Sequence, residues 1–113
     1  MSPLRKFIGQ VLTIQIDRPM GSHHPEHGFI YPINYGYLPR ELGGDGEPLD
    51  VYLLGVFEPV RSYTGVCIAI LHRLDDDDDK LILCPPGKIY TGAQIRALTE
   101  FQERFFNSIL YWD

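Results

Sequence analysis

Long apolar runs are missing from this chain of 113 residues. Nothing approaches the ~20 apolar residues that a membrane-spanning helix needs, and no apolar segment of signal-peptide type stands near Met1. The expectation is a cytoplasmic protein without membrane contact. Cysteine is scarce: Cys67 and Cys84 alone, in apolar strand-like segments without metal-ligand spacing. That pattern argues against a disulfide framework and favours buried thiols in a reducing compartment. Basic surplus is absent too. Ten Lys and Arg against fifteen Asp and Glu give a formal charge of −5, with no basic run, which argues against electrostatic binding of nucleic acid. Internal repeats and linkers are also lacking, so residues 1–113 read as one domain, long enough for a modest core without staples.

The residues that are present alternate. Over Phe7 to Ile16, Leu12, Ile14 and Ile16 face away from Val11, Thr13 and Gln15, which predicts a strand. Pro, Gly, Ser and His then mark a loop from Asp17 to Phe29. Leu49 to Gly55 and Thr64 to Leu74 are further strand candidates, separated by Glu58-Pro59. Asp75 to Asp79 reads as an acidic turn leading into a strand over Lys80 to Cys84, so these segments predict a hairpin. Thr91 opens a helix with Gln94 three residues on, as in a capping box. Ile95, Leu98, Phe105 and Ile109, flanked by Phe101 and Phe106, continue an apolar stripe at helical spacing. The aromatic residues of that stripe, Phe105 included, read most simply as core. The architecture expected is a small β-sheet or barrel with one C-terminal helix.

Chemistry concentrates in Tyr31-Pro-Ile-Asn-Tyr-Gly-Tyr-Leu-Pro39 and Asp45-Gly-Glu-Pro-Leu-Asp50. Asp45, Glu47 and Asp50 around one turn repel one another unless a cation sits among them. Hard divalent cations are the usual occupants of such oxygen sites, and phosphates the substrates those metals commonly serve. Each feature also has a plainer reading. Asp and Gly favour solvated turns. Acidic runs such as Asp75 to Asp79 are commonly solvated loop tips. Tyr35 and Tyr37 suit a barrel rim. His23, His24 and His27 have a spacing that Pro25 keeps off any helix, so a transition-metal site competes with phosphate contact and with plain exposure.

The two strings together resemble the soluble (family I) inorganic pyrophosphatases, and the likeness covers roughly residues 11–84, with a weaker match in the helix. The resemblance implies a five-stranded OB-like barrel, hydrolysis of pyrophosphate to two phosphates, dependence on Mg2+ with Mn2+ as an alternative, and a homo-oligomer. It makes Asp45, Asp50, Asp75 and Asp78 metal ligands, with Asp75 able to exchange roles with Asp76 or Asp77. It places Glu47 at the attacking water, Lys80 on phosphate, and the phenols of Tyr31 and Tyr35 at the site. Arg18 and His24, with His23 a further candidate, would supply phosphate donors in place of a Lys- and Arg-bearing segment that the chain lacks, and Arg40 is another candidate contact.

The chain departs from the family pattern as well. Glu47 is a methylene longer than the family's Asp, which moves the carboxylate by roughly an ångström, a displacement able to cost about 10²-fold in rate. Gln15 stands where the first strand has Glu, and Phe105-Phe106 where a Tyr-Lys pair is expected. Two alternatives follow from the thinner cationic lining: a larger phosphoanhydride as substrate, such as a nucleotide or polyphosphate, or a catalytically weak module that binds pyrophosphate or metal.

Overall fold

The computed structural model describes residues 3–42, 47–76 and 78–112. A 3₁₀ turn over Pro3–Phe7 leads into six strands: β1 (Val11–Arg18), β2 (Asn34–Leu42), β3 (Pro48–Leu53), β4 (Ser62–Arg73), β5 (Asp79–Cys84) and β6 (Ser108–Trp112). The helix α1 (Gly92–Glu103) lies between the last two. Strand order runs β1-β2-β3-β5-β4, and β4 pairs back onto β1, so five strands close a barrel and β6 adds to β4 outside the ring. The expected mainly β, five-stranded barrel with one helix near the C-terminus is what forms. Closure removes the open edges that a five-stranded sheet would otherwise expose.

Two apolar clusters divide the wall. Ile14, Leu38, Val51, Ile70 and Leu81, one from each barrel strand, meet in the first, which fills the interior. Tyr35, Tyr52, Leu71 and Ile82 join Ile95 and Phe101 in the second, between the barrel and α1. β5 therefore has apolar neighbours on both faces and is buried throughout, the physical reason its sequence runs Leu-Ile-Leu-Cys without alternation. β4 and β5 make the expected hairpin across the acidic turn, with Leu71 opposite Lys80 and His72 opposite Asp79. β3 and β5 are parallel neighbours, and their register sets Asp50 beside Lys80. Both cysteines are free and buried, and burial pushes the Cys67 thiol up to about 12.

Gly36 has a steric reason. A Cβ there would stand 1.8 Å from the Gln15 carbonyl oxygen, so only glycine lets β2 close on β1 at this register. The Thr91 capping box forms as the sequence suggests: Gln94 N–H donates to Thr91 Oγ1 at 3.1 Å and Thr91 N–H to Gln94 Oε1 at 2.8 Å.

The end of the helix is a correction. The apolar stripe predicts helix as far as Ile109, yet α1 ends at Glu103 and residues 108–112 form a strand. Phe105, Phe106 and Asn107 are indifferent helix formers. Asp75 then captures the Asn107 backbone N–H at 2.6 Å, and Leu74 N–H donates to the Asn107 carbonyl at 2.8 Å. Those bonds deliver Ile109-Leu-Tyr-Trp112 to the free edge of β4. Phe105 is consequently not core; it is 62% exposed. Among the described residues no helix is long and apolar enough to cross a membrane.

Candidate active site

A cavity of about 450 Å³ opens between one side of the barrel, the end of α1 and the loop after β1. Asp17 and Arg18 at the end of β1, Tyr35 on β2 and Asp50 on β3 reach it from the barrel. The β4–β5 hairpin contributes Arg73 and Lys80. His24, His27, Phe29 and Tyr31 come from the loop, and Gln102, Phe105 and Phe106 from the end of α1.

Lys80 organises the floor. Its ammonium, with the side chain 3% exposed, donates to Asp50 Oδ2 at 2.6 Å, Asp78 Oδ2 at 2.8 Å and the Tyr35 hydroxyl oxygen at 2.9 Å. All three N–H donors of the ammonium are thereby used. Burial, and after it the Asp50 carboxylate, pushes the Tyr35 phenol well above its ordinary value. Tyr35 is thus a neutral hydroxyl.

Behind the floor runs a buried polar chain. Tyr31 donates to Gln102 Oε1 at 2.9 Å, Gln102 Nε2 to the Tyr52 oxygen at 2.7 Å, and Tyr52 to Glu103 Oε2 at 2.5 Å. Glu103 receives Arg73 through two bonds, Nε to Oε1 at 3.0 Å and Nη2 to Oε2 at 2.7 Å. The third guanidinium nitrogen makes longer contacts, 3.4 Å to Asp78 and 3.5 Å to Asp76, and the guanidinium lies 3.7 Å over the Phe106 ring. Burial alone would weaken the Arg73 proton, but Glu103, then Tyr52 and Asp78, outweigh it and hold the group above its ordinary value. Among the described residues no buried side-chain nitrogen or oxygen lacks a hydrogen-bond partner. The chain links α1 to the hairpin and fixes both walls of the cavity.

The loop after β1 is tied down by a residue of the Tyr-Pro string. Asn34, fully buried, accepts from Met20 N–H at 2.9 Å and donates to the Glu58 carbonyl at 2.9 Å. Within the loop, His24 Nδ1 accepts the backbone N–H groups of Glu26 and His27, each at 3.1 Å. A nitrogen that accepts carries no proton, so the remaining nitrogen Nε2 is the donor. Burial, then His27, lowers the His24 imidazole, in keeping with that neutral form.

Of the sequence-predicted site residues, Arg18, His24, Tyr31, Tyr35, Asp50 and Lys80 line the cavity, and Asp78 joins them through Lys80. Asp75 stands elsewhere, engaged with Asn107 at the start of β6. Arg40 is exposed, has a positive φ of 71°, and lies outside the lining. Glu47 is exposed just before β3, also outside the lining. Asp45 and Asp77 fall outside the described residues. Asp50 and Asp78 converging on one ammonium are oxygen donors of the kind a hard cation takes. Among the described residues, however, no group of three or more Asp, Glu, His or Cys side chains is placed to hold a metal ion. The described donors therefore do not by themselves make a metal site.

Arg73, Gln102 and Glu103 escaped sequence reasoning. The signal for Arg73 was its mirror position to Asp78 across the predicted hairpin; for the helix pair, nothing short of knowing which face α1 docks would have served.

Comparisons with known proteins point to one family. A family model described as inorganic pyrophosphatase matches residues 12–112. The chain is 34% identical over 104 residues to the inorganic pyrophosphatase of Ralstonia nicotianae, covering 88% of this chain and 57% of that protein. It is 38% identical over 66 residues to that of Xylella fastidiosa, covering 55% and 37% respectively. The chain thus spans about half the length of these relatives. Among solved structures, that of the Ehrlichia chaffeensis inorganic pyrophosphatase is similar in fold, with a TM-score of 0.71, 16% identity, and coverage of 93% of this chain and 87% of that one.

Proposed function

The chain belongs to the inorganic pyrophosphatase family, and from that premise we propose that its cavity binds pyrophosphate and promotes attack of water on it, releasing two phosphates. The observation that carries this reading is the Lys80 hub. One buried ammonium gathers Tyr35 from the Tyr-rich string, Asp50 from the Asp-Gly-Glu-Pro-Leu-Asp string and Asp78 from the acidic turn. Three separate segments of the resemblance meet at one point.

The chain's own groups divide the work. Arg73 and Lys80 set positive charge against the wall where a phosphate would lie, and Arg18 adds a guanidinium at the rim. The Arg73 and Lys80 charges are fixed in place before the substrate arrives, with the Lys80 donors held by Asp50, Asp78 and Tyr35 and two Arg73 nitrogens by Glu103. A cation drawn to Asp50 and Asp78 would free Lys80 to favour charge that grows on phosphate oxygens. Tyr35, neutral, and His24, protonated on Nε2, offer uncharged hydrogen bonds to the same oxygens. The reaction needs one water set against the phosphorus. Glu47 is the residue for orienting or deprotonating that water on the strength of its place in the string. The family's metal dependence would draw on Asp50 and Asp78 in place of Lys80, together with Asp45. A cation bound there would supply Lewis acidity and charge neutralisation. Mg2+ is the cation proposed, Mn2+ the alternative. A cytoplasmic homo-oligomer without nucleic-acid or membrane partners completes the reading, the charge of −5 supporting the absence of nucleic acid.

Phosphate release from pyrophosphate by the full chain, with Mg2+, with Mn2+ and with chelator, tests it. Release with a metal, lost with chelator, is expected. No release above background with either metal would overturn it.

A further inference from the structure

The cavity is larger than a diphosphate needs. Its volume is about 450 Å³, and the charged groups that suit a diphosphate line only part of it. The surplus space is lined differently from the floor. Apart from the charged groups and Gln102, the lining is made of rings, and those of His24, His27, Phe29 and Phe105 stand together. His27 and Phe29 lie nearly parallel, 8° apart with centroids at 6.4 Å, and His27 and Phe105 are inclined by 28° at 6.3 Å. His24 closes the group, 4.7 Å from His27 and 4.8 Å from Phe29. Phe105, with 62% of its surface exposed, adds an uncovered face at this wall. A planar group that covered it would bury apolar area without displacing any hydrogen bond of the floor.

From a charged floor joined to a ring-lined wall in one cavity, we propose that this site takes nucleoside diphosphates. The diphosphate lies at the Arg73–Lys80 end, and the base stacks against Phe105 and His27. The proposal rests on the phosphoanhydride reading above and names the class of ligand within it. If that reading holds, water adds to the terminal phosphorus and the bond to the bridging oxygen breaks. Nucleoside monophosphate leaves with the electron pair, and a proton passes to solvent beside the orthophosphate formed. Pyrophosphate fits the same floor and leaves the ring wall bare.

Calorimetric titration of the full chain with two non-hydrolysable probes separates the two claims: adenosine α,β-methylenediphosphate, which carries a base, and methylenediphosphonate, which does not. The nucleoside probe is expected to bind about tenfold tighter or more, the usual effect of one stacked base. Phe105→Ala should remove most of that ratio and Phe105→Trp should keep it. Equal affinity of the two probes, or an equal loss with both in Phe105→Ala, would overturn the proposal. Phosphate release is read in parallel with ADP and pyrophosphate. Tight nucleoside binding with neither substrate hydrolysed would sink the hydrolase reading and uphold the ligand class. Pyrophosphate turnover with no preference for the nucleoside probe would do the reverse.

Discussion

Glu103→Gln removes the charge that holds Arg73. The pair is buried, at 5% and 7% side-chain exposure, and joined by two bonds of 2.7 and 3.0 Å. Breaking one partner of such a pair leaves the other as an uncompensated buried charge, at a cost of about 3–5 kcal/mol. Asp78 and Asp76 remain near Arg73, but at 3.4 and 3.5 Å, so they offset part of the loss and place the expected cost near the lower figure. The Tyr52 hydroxyl also loses a carboxylate acceptor. At about 2 cal/mol/K of unfolding entropy per residue, a loss of about 3 kcal/mol lowers Tm by roughly 12 °C in a domain of this size. Urea unfolding followed by tryptophan fluorescence, with Trp112 as the reporter, gives the free energy directly. The paired substitution Arg73→Met with Glu103→Met should recover most of the stability, because it removes both buried charges. A Glu103→Gln protein within about 1 kcal/mol of the parent, or a double variant no better than the single, would refute the view of this pair as a buried strut.

Other predictions follow from particular groups. Gly36→Ala must push β2 off the Gln15 carbonyl; a loss of about 3 kcal/mol or more is expected in the same unfolding assay, and an unchanged midpoint would mean the strands part freely. His24 should titrate below the ordinary imidazole value of 6.5, because burial and His27 disfavour its charged form. Its folded value is lower than its unfolded one, so its contribution to stability is complete above 6.5 and is lost as pH falls through the folded value. A histidine ring-proton NMR titration reads this, and a midpoint at or above 6.5 would contradict the neutral Nε2-protonated form. Glu47→Asp separates the functional alternatives in a phosphate-release assay. An enzyme adapted to the longer side chain loses rate, a pyrophosphatase impaired by it gains rate, and a binding module turns over with neither.

Four of the five barrel strands were legible, because alternation marks strands that face a core on one side only, as in β1, and because the acidic turn between apolar runs announces a hairpin. β2 was not read as a strand, and the five-stranded barrel came from the family resemblance. The helix start was legible from Thr91 and Gln94. Its end was not: Phe105 and Ile109 continue the helical spacing, and what breaks it is a long-range bond from Asp75 to Asn107. Asp75 illustrates the same point for the site. The sequence offers five neighbouring carboxylates, and only the fold distributes them, one to Asn107, one to Arg73 and Lys80, and one to His72. Tyr35, Asp50 and Lys80 were readable together because they sit in strings long enough to resemble a family. Arg73 and Glu103 carry no local pattern, and their pairing exists only once α1 has docked on the barrel.

The proposed function turns on the Lys80 hub handling phosphate. Its most direct test is the steady-state rate of phosphate release from pyrophosphate by the parent, Lys80→Met and Asp50→Asn chains. Far-ultraviolet circular dichroism and thermal melting establish that the variants are folded. Both folded variants should lose at least about 10²-fold in rate, the scale of removing one positioned charge. Folded variants that keep the parent rate would place the chemistry elsewhere and contradict the proposed function.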